Sequence, residues 1–324
     1  MALKKRNCSV DIFRYICALM VVAVHTHPFE DIDPTLGYIF TQILPRMGVP
    51  FFFAVAGYFY MQKLESGKKC FWPYIKRLLI TYGLWTGFYY LLDFVQFGHK
   101  NIGPFLVDCV KRLFIFGSRG HFWFFPALIF SVCLVTLLYK LKCKKLIVPV
   151  GIALYAVGCL GSGYYQLGRN VFGWLYSFSQ YELIRRVLLM GFPFFGCGLL
   201  TAKLKLRKAM PYALGGAVAL WLGEILLVNG LKISSNIVLT PFLYALVLVA
   251  LVALLEHPAA NREKLAGVCR VSANFTYYSH PFVILCLKLF PLTETPIFVL
   301  TVLLCGAVSL VIWKLNNKYI NYLV

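Results

Sequence analysis

Two side chains in the first apolar stretch have types and spacing suited to chemistry. In the run Asp11-Ile-Phe-Arg14 through His25, the arginine and the histidine stand eleven residues apart. On a helix turning about 100° per residue, eleven steps return to within roughly 20° of the same face, with a rise of about 16 Å. Both groups would then look into one cavity, Arg14 near one end and His25 toward the other. An imidazole, with an unperturbed pKa of about 6.5, is a credible general base in a water-poor cavity. A guanidinium offers a fixed fork of donors to an anion. The alternative is two separate roles, with Arg14 extending its charge to headgroups, His25 packed through a hydrogen bond, and Asp11 paired internally with Arg14.

Other polar groups interrupt apolar stretches further along. Asp93 closes the third stretch, Glu224 lies in the seventh, and His121 with Trp123 opens the fourth. Arg185 and Arg186 open the sixth. His280 sits in the ninth, after Ser272, Asn274, Thr276 and Ser279. For each, an interfacial or structural role stands beside a functional one. Glu224 is the hardest to dismiss, because a carboxylate in an apolar helix needs a reason. No Gly-x-Ser-x-Gly elbow and no Walker phosphate loop occurs, so self-contained hydrolase or ATPase chemistry is not indicated. The 11 cysteines include no Cys-x-x-Cys pair and no zinc spacing, and neither a disulfide nor a metal is expected.

The elements that must position these residues follow from composition. Of 324 residues, 60% are hydrophobic and 14% charged; the mean hydropathy is +0.75. A soluble domain carries roughly 25% charged residues, so this chain lacks a polar skin and lipid must be its outer solvent. Apolar segments fall at 10–28, 38–61, 74–96, 122–140, 145–161, 184–202, 210–229, 235–255, 273–291 and 295–314. Most are long enough for a core about 30 Å thick. The fifth is short. Segment 104–117, broken by Asp108, Lys111 and Arg112, reads as interfacial or re-entrant.

The expected fold is all-α, a polytopic bundle of about ten transmembrane helices forming one domain over 1–324. Net charge is +20, but the basic residues cluster in short loops. That is the positive-inside pattern, and it argues against a nucleic-acid partner. With ten spans and both termini cytoplasmic, the inside segments hold about two-thirds of the 32 basic residues. They begin with Lys4, Lys5 and Arg6 and end with Lys314 and Lys318. The first run keeps Asp11, Arg14 and His25 and has no small-x-small site, so it reads as an uncleaved helix rather than a signal peptide. Two outer loops, 97–121 and 162–183, are long enough to line a site.

Five motifs in order resemble the membrane acyltransferase-3 family along nearly the whole chain. They are Val10-Asp-Ile-Phe-Arg14 through His25, Val49-Pro-Phe-Phe-Phe-Ala-Val-Ala-Gly57, Trp72-Pro-Tyr-Ile-Lys76-Arg77, Gly120-His121-Phe-Trp123, and Asn274-Phe-Thr-Tyr277-Tyr278-Ser-His280-Pro281. The third departs from the usual form, in which two arginines flank one residue. The resemblance implies a ten-helix cell-membrane enzyme that takes an acyl group, often acetyl, from cytoplasmic acyl-CoA. The group would pass to a hydroxyl of an extracytoplasmic glycan or lipid-linked sugar. It implies that Arg14, Lys76 and Arg77 meet the donor phosphates. His25 would act as base or first accept the acyl group, while Glu224, Asp93 and His121 would serve acceptor binding. The chain also resembles the membrane half of serine/alanine racemases, which implies an alternative: binding or transport of a small amino acid without acyl transfer.

Overall fold

The Asn7 side chain opens the first helix by accepting from the Val10 backbone N–H at 3.1 Å. This satisfies one of the donors that a helix start leaves open. Helix α1 (Cys8–Thr26) ends at His27, whose left-handed backbone (φ 54°) returns its N–H to the Ala23 carbonyl. The computed structural model describes residues 7–96, 101–113, 117, 119–234 and 236–315. Among these the regular structure is entirely helical. Lys4, Lys5, Arg6 and Lys318, which carry part of the charge pattern, lie outside the described residues, as do parts of segment 104–117 and of the loop 97–121.

After α1 come α2 (Pro34–Tyr38), α3 (Gly48–Glu65), α4 (Phe71–Gln96), α5 (Ile102–Lys111) and α6 (Phe124–Lys140). Next are α7 (Ile147–Leu160), α8 (Tyr165–Val171), α9 (Gly173–Gln180), α10 (Glu182–Arg186) and α11 (Phe192–Thr201). The chain closes with α12 (Met210–Gly230), α13 (Pro241–Glu256), α14 (Glu263–Leu287) and α15 (Glu294–Leu315). A wide π turn at Ile39–Ile43 joins α2 toward α3, and another at Val187–Gly191 joins α10 to α11. Pro45 and Pro193 follow these turns; proline supplies no N–H to the regular ladder, and a π turn absorbs the mismatch.

Among the described residues, six helical runs are long and apolar enough to cross a membrane: Cys8–Thr26, Pro34–Glu65, Phe71–Gln96, Glu182–Thr201, Arg207–Gly230 and Glu294–Leu315. That is fewer than the ten segments of the sequence pattern, and each difference has a local cause. Helices α6 and α13 have 17 and 16 residues. Helix α7 bends by 93° into α8. Helix α14 is 25 residues long but carries Arg270, Ser272, Asn274, Thr276, Ser279 and His280. Segment 104–117 supplies α5, none of whose residues is buried; the following Arg112 pairs with Asp108 at 2.5 Å.

Contacts fix the helix directions. Asp11, Arg14 and His25 of α1 meet Arg270, Asn274 and His280 of α14 in that order, so the two helices run parallel. Trp85 and Phe88 of α4 meet Phe275 and Phe282, so α4 is parallel to both. In the opposite sense run α3, with Phe51 against Phe13 and Gly48 against the Cys17 carbonyl, and α6, where Phe122 just before the helix and Phe125 within it meet Tyr89 and Tyr82. Helix α15 also opposes α1, starting where Thr295 binds the Phe29 backbone at 2.7 Å.

The tightest crossing joins α3 to α11. A Cβ on Gly57 would lie 1.9 Å from the Phe195 carbonyl oxygen, and one on Gly198 would lie 2.2 Å from the Tyr58 nitrogen. Small residues let backbones meet where lipid offers no hydrophobic drive between helices. Phe51, Phe53, Phe194 and Phe195 are fully buried around it.

Candidate functional site

Helices α1, α4, α14 and the turn before α6 converge on one region. At one end the Arg14 guanidinium donates to Asn274 Oδ1 at 2.9 Å and lies 3.7 Å from Asp11. It sits 5.9 Å from the centre of the Phe52 ring. Asp11 is shared with Arg270 at 3.6 Å. Arg14 and Arg77 both lie within electrostatic reach of the Tyr74 and Tyr278 hydroxyls, which brings Arg77 to the Arg14 end of the site. Lys76 is exposed on α4 beside it.

At the other end three histidines meet. The rings of His25 and His280 are 5.2 Å apart, those of His121 and His280 4.9 Å, and those of His25 and His121 6.4 Å. His121 and His280 are 5% and 0% exposed, whereas His25 is exposed. The cluster therefore has two closed walls and one open side.

His121 owes its place to a tight turn. Gly117 adopts φ +80°, where a Cβ would stand 2.4 Å from the Trp123 nitrogen. Glycine alone tolerates both the conformation and the approach. The Tyr277 hydroxyl then donates to the His121 carbonyl at 2.6 Å and ties the turn to α14. The Nε2 atoms of His121 and His280 are buried without a hydrogen-bond partner. Buried polar atoms are normally paired, so two orphans beside an open imidazole mark a place for a polar ligand. No group of three His, Cys, Asp or Glu among the described residues is arranged to hold a metal.

Asp93 reaches the cluster through Arg119 and Tyr89, whose ring is 6.1 Å from that of His121, whereas the contacts of Glu224 are with Tyr164 and Phe242. Asp93 receives Arg119 at 2.5 Å and Arg112 at 3.6 Å, and Arg119 lies over the Tyr89 ring at 5.1 Å. The Asp93 carboxylate thereby holds two arginines of the outer loop. Glu224 accepts the Tyr164 hydroxyl at 2.8 Å and the Phe242 backbone N–H at 3.0 Å. It thereby caps α13 and pins the α7–α8 bend. Both carboxylates are occupied by structural partners. Sequence reasoning did not place Asn274 or Tyr277 at the site; the polar run of the ninth segment was the signal. A separate cavity of about 600 Å³ between the α11–α12 connection and the end of α13 is lined by Lys205, Arg207, Lys208, Glu256 and His257, and includes none of these residues.

A family described as "Acyltransferase domain" matches residues 7–315. The chain belongs to the acyltransferase-3 family. Among curated proteins, an amino-acid racemase of Enterococcus faecalis is 31% identical over 190 residues, covering 55% of this chain and 27% of the relative. A second from the same organism is 29% identical, covering 50% and 23%. A serine/alanine racemase of Enterococcus gallinarum is 32% identical, covering 50% and 24%. The chain thus spans about a quarter of the length of these relatives. No solved structure matches.

Proposed function

We propose that this acyltransferase-3 member is a cell-membrane O-acyltransferase. It takes an acyl group, acetyl in the simplest case, from cytoplasmic acyl-CoA to a hydroxyl of an extracytoplasmic glycan or lipid-linked sugar. The observation that carries the reading is the shared face of α1. One helix, α14, holds Arg14 through Asn274 and brings His280 against His25. The two ends lie about 16 Å apart along α1, the order of an extended pantetheine arm.

In this reading Arg14 and Arg77, with Lys76 at the surface, receive the donor phosphates. His25 meets the acyl carbon at the other end. Its imidazole either takes the proton of the acceptor hydroxyl or first carries the acyl group. The chain forms one transmembrane domain of ten crossings with cytoplasmic termini. The helix directions support that count: α1, α4 and α14 are the first, third and ninth crossings and run one way, and α3, α6 and α15 are even-numbered and run the other.

The test is transfer of radiolabelled acetyl from acetyl-CoA in membranes holding the parent or the His25→Ala or Arg14→Ala variant at equal expression. Label in the envelope fraction, lost in both variants, is the expected result. Acetyl-CoA neither bound nor consumed would overturn the reading.

The similarity to racemases favours a second reading, a module that binds or moves serine or alanine. It predicts binding of those amino acids to the purified chain and parent-like acetyl-CoA behaviour in both variants.

A further inference from the structure

His280 is followed by Pro281, inside α14. Proline has no N–H, so the helical bond that residue 281 would make to the Tyr277 carbonyl is missing. The His280 ring fills that vacancy: its Nδ1 lies 3.0 Å from the Tyr277 carbonyl oxygen and 3.0 Å from that of Thr276. Carbonyl oxygens only accept, so Nδ1 must carry the hydrogen. A neutral imidazole has one N–H, which leaves Nε2 as a bare lone pair. That atom is buried, without a partner, 5.2 Å ring to ring from His25. An orphaned buried acceptor is unfavourable, and it calls for a donor such as O–H.

We propose that His280 is a second catalytic base, its tautomer fixed by Pro281, which receives the O–H of the acceptor. The inference rests on the acyl-transfer reading and adds a division of labour to it. The acceptor oxygen forms the new bond to the acyl carbon and its proton passes to His280 Nε2. The acyl carbon parts from sulfur, or from His25 if the group pauses there, and the proton finally neutralises the released thiolate. The site therefore selects a hydroxyl-bearing acceptor, since an ionised carboxylate or phosphate offers no hydrogen to that lone pair.

Two variants of the full chain test this. His280→Asn keeps a side-chain N–H for the two carbonyls but removes the lone pair. Acetyl transfer should fall about 10²–10⁴-fold, with acetyl-CoA binding unchanged within about twofold. Transfer at the parental rate, or binding lost in step with transfer, would overturn the proposal. Pro281→Ala restores the backbone donor to Tyr277. Imidazole ¹⁵N NMR should show Nδ1–H at His280 in the parent and a mixture in this variant; an Nε2–H form in the parent overturns the lock. Failure of the underlying reading has its own signature, namely no transfer by the parent or undiminished transfer by His25→Ala.

Discussion

Replacing Gly57 by alanine adds one methyl group where the structure leaves no room. The new Cβ would stand 1.9 Å from the Phe195 carbonyl oxygen, 2.8 Å from its carbon and 3.1 Å from its Cα. All three are backbone atoms of α11, so no rotamer change relieves the overlap. Ordinary contact begins near 3.4 Å, and α3 and α11 must part by about 1.5 Å there; a gap of 0.5–1 Å already forfeits a quarter to a half of each contact's attraction. Phe51, Phe53, Phe194 and Phe195 would lose packing together. Overpacking usually costs 1–3 kcal/mol, and two rigid backbones put this case at about 3 kcal/mol or above. Gly216→Ala on α12 is the control: its Cβ meets nothing within 4 Å, so a change between zero and about 1 kcal/mol of added stability is expected. Unfolding in mixed micelles against rising dodecyl sulfate, followed by tryptophan fluorescence, measures both. If the two variants unfold together with the parent, the crossing is not as close as described and the reasoning fails.

Glu224→Ala leaves the Tyr164 hydroxyl and the Phe242 N–H without their acceptor. A loss of about 1–3 kcal/mol in the same unfolding assay, with acetyl-CoA affinity unchanged, is expected from a purely structural carboxylate. Arg14→Lys keeps the charge but loses the fork, so donor affinity should fall while the fold, read by thermal denaturation, stays intact. Asp31, exposed between α1 and α2, is held below the usual carboxylate range by hydrogen bonds from Thr293 and Thr295. A depressed folded pKa stabilises above the unfolded value near 4 and loses that contribution as pH falls through the folded one. Protection of the Thr295 amide in hydrogen exchange should therefore drop on acidification below about pH 4, and Asp31→Asn should flatten the dependence.

The face shared by Arg14 and His25 was legible because helical periodicity is a local property of one segment. The partner was half legible. Ser272, Asn274, Thr276, Ser279 and His280 announced a polar helix, but not that it lies parallel against α1. The partners of Glu224 and Asp93 were not legible for a physical reason. A buried carboxylate must be paired, and sequence cannot distinguish pairing with a ligand from pairing with Tyr164 or Arg119, which lie 60 and 26 residues away. The two π turns also left no trace, since one added residue barely disturbs an apolar run. The bend after α7 was hinted at only by the shortness of its segment.

The Arg14–Asn274 bond spans 260 residues of chain, and that separation has a consequence for biogenesis. At roughly 5–20 residues added per second, the first helix waits about 13–50 s before the segment that accepts the Arg14 hydrogen bond emerges. Through most of synthesis Arg14 is held only by Asp11 of its own helix or by an insertion factor. Nascent chains arrested before residue 274 should cross-link through α1 to that factor, and chains long enough to deliver α14 should not. The site is completed only when α14 packs against α1, which joins its two ends in a single step before α15 follows.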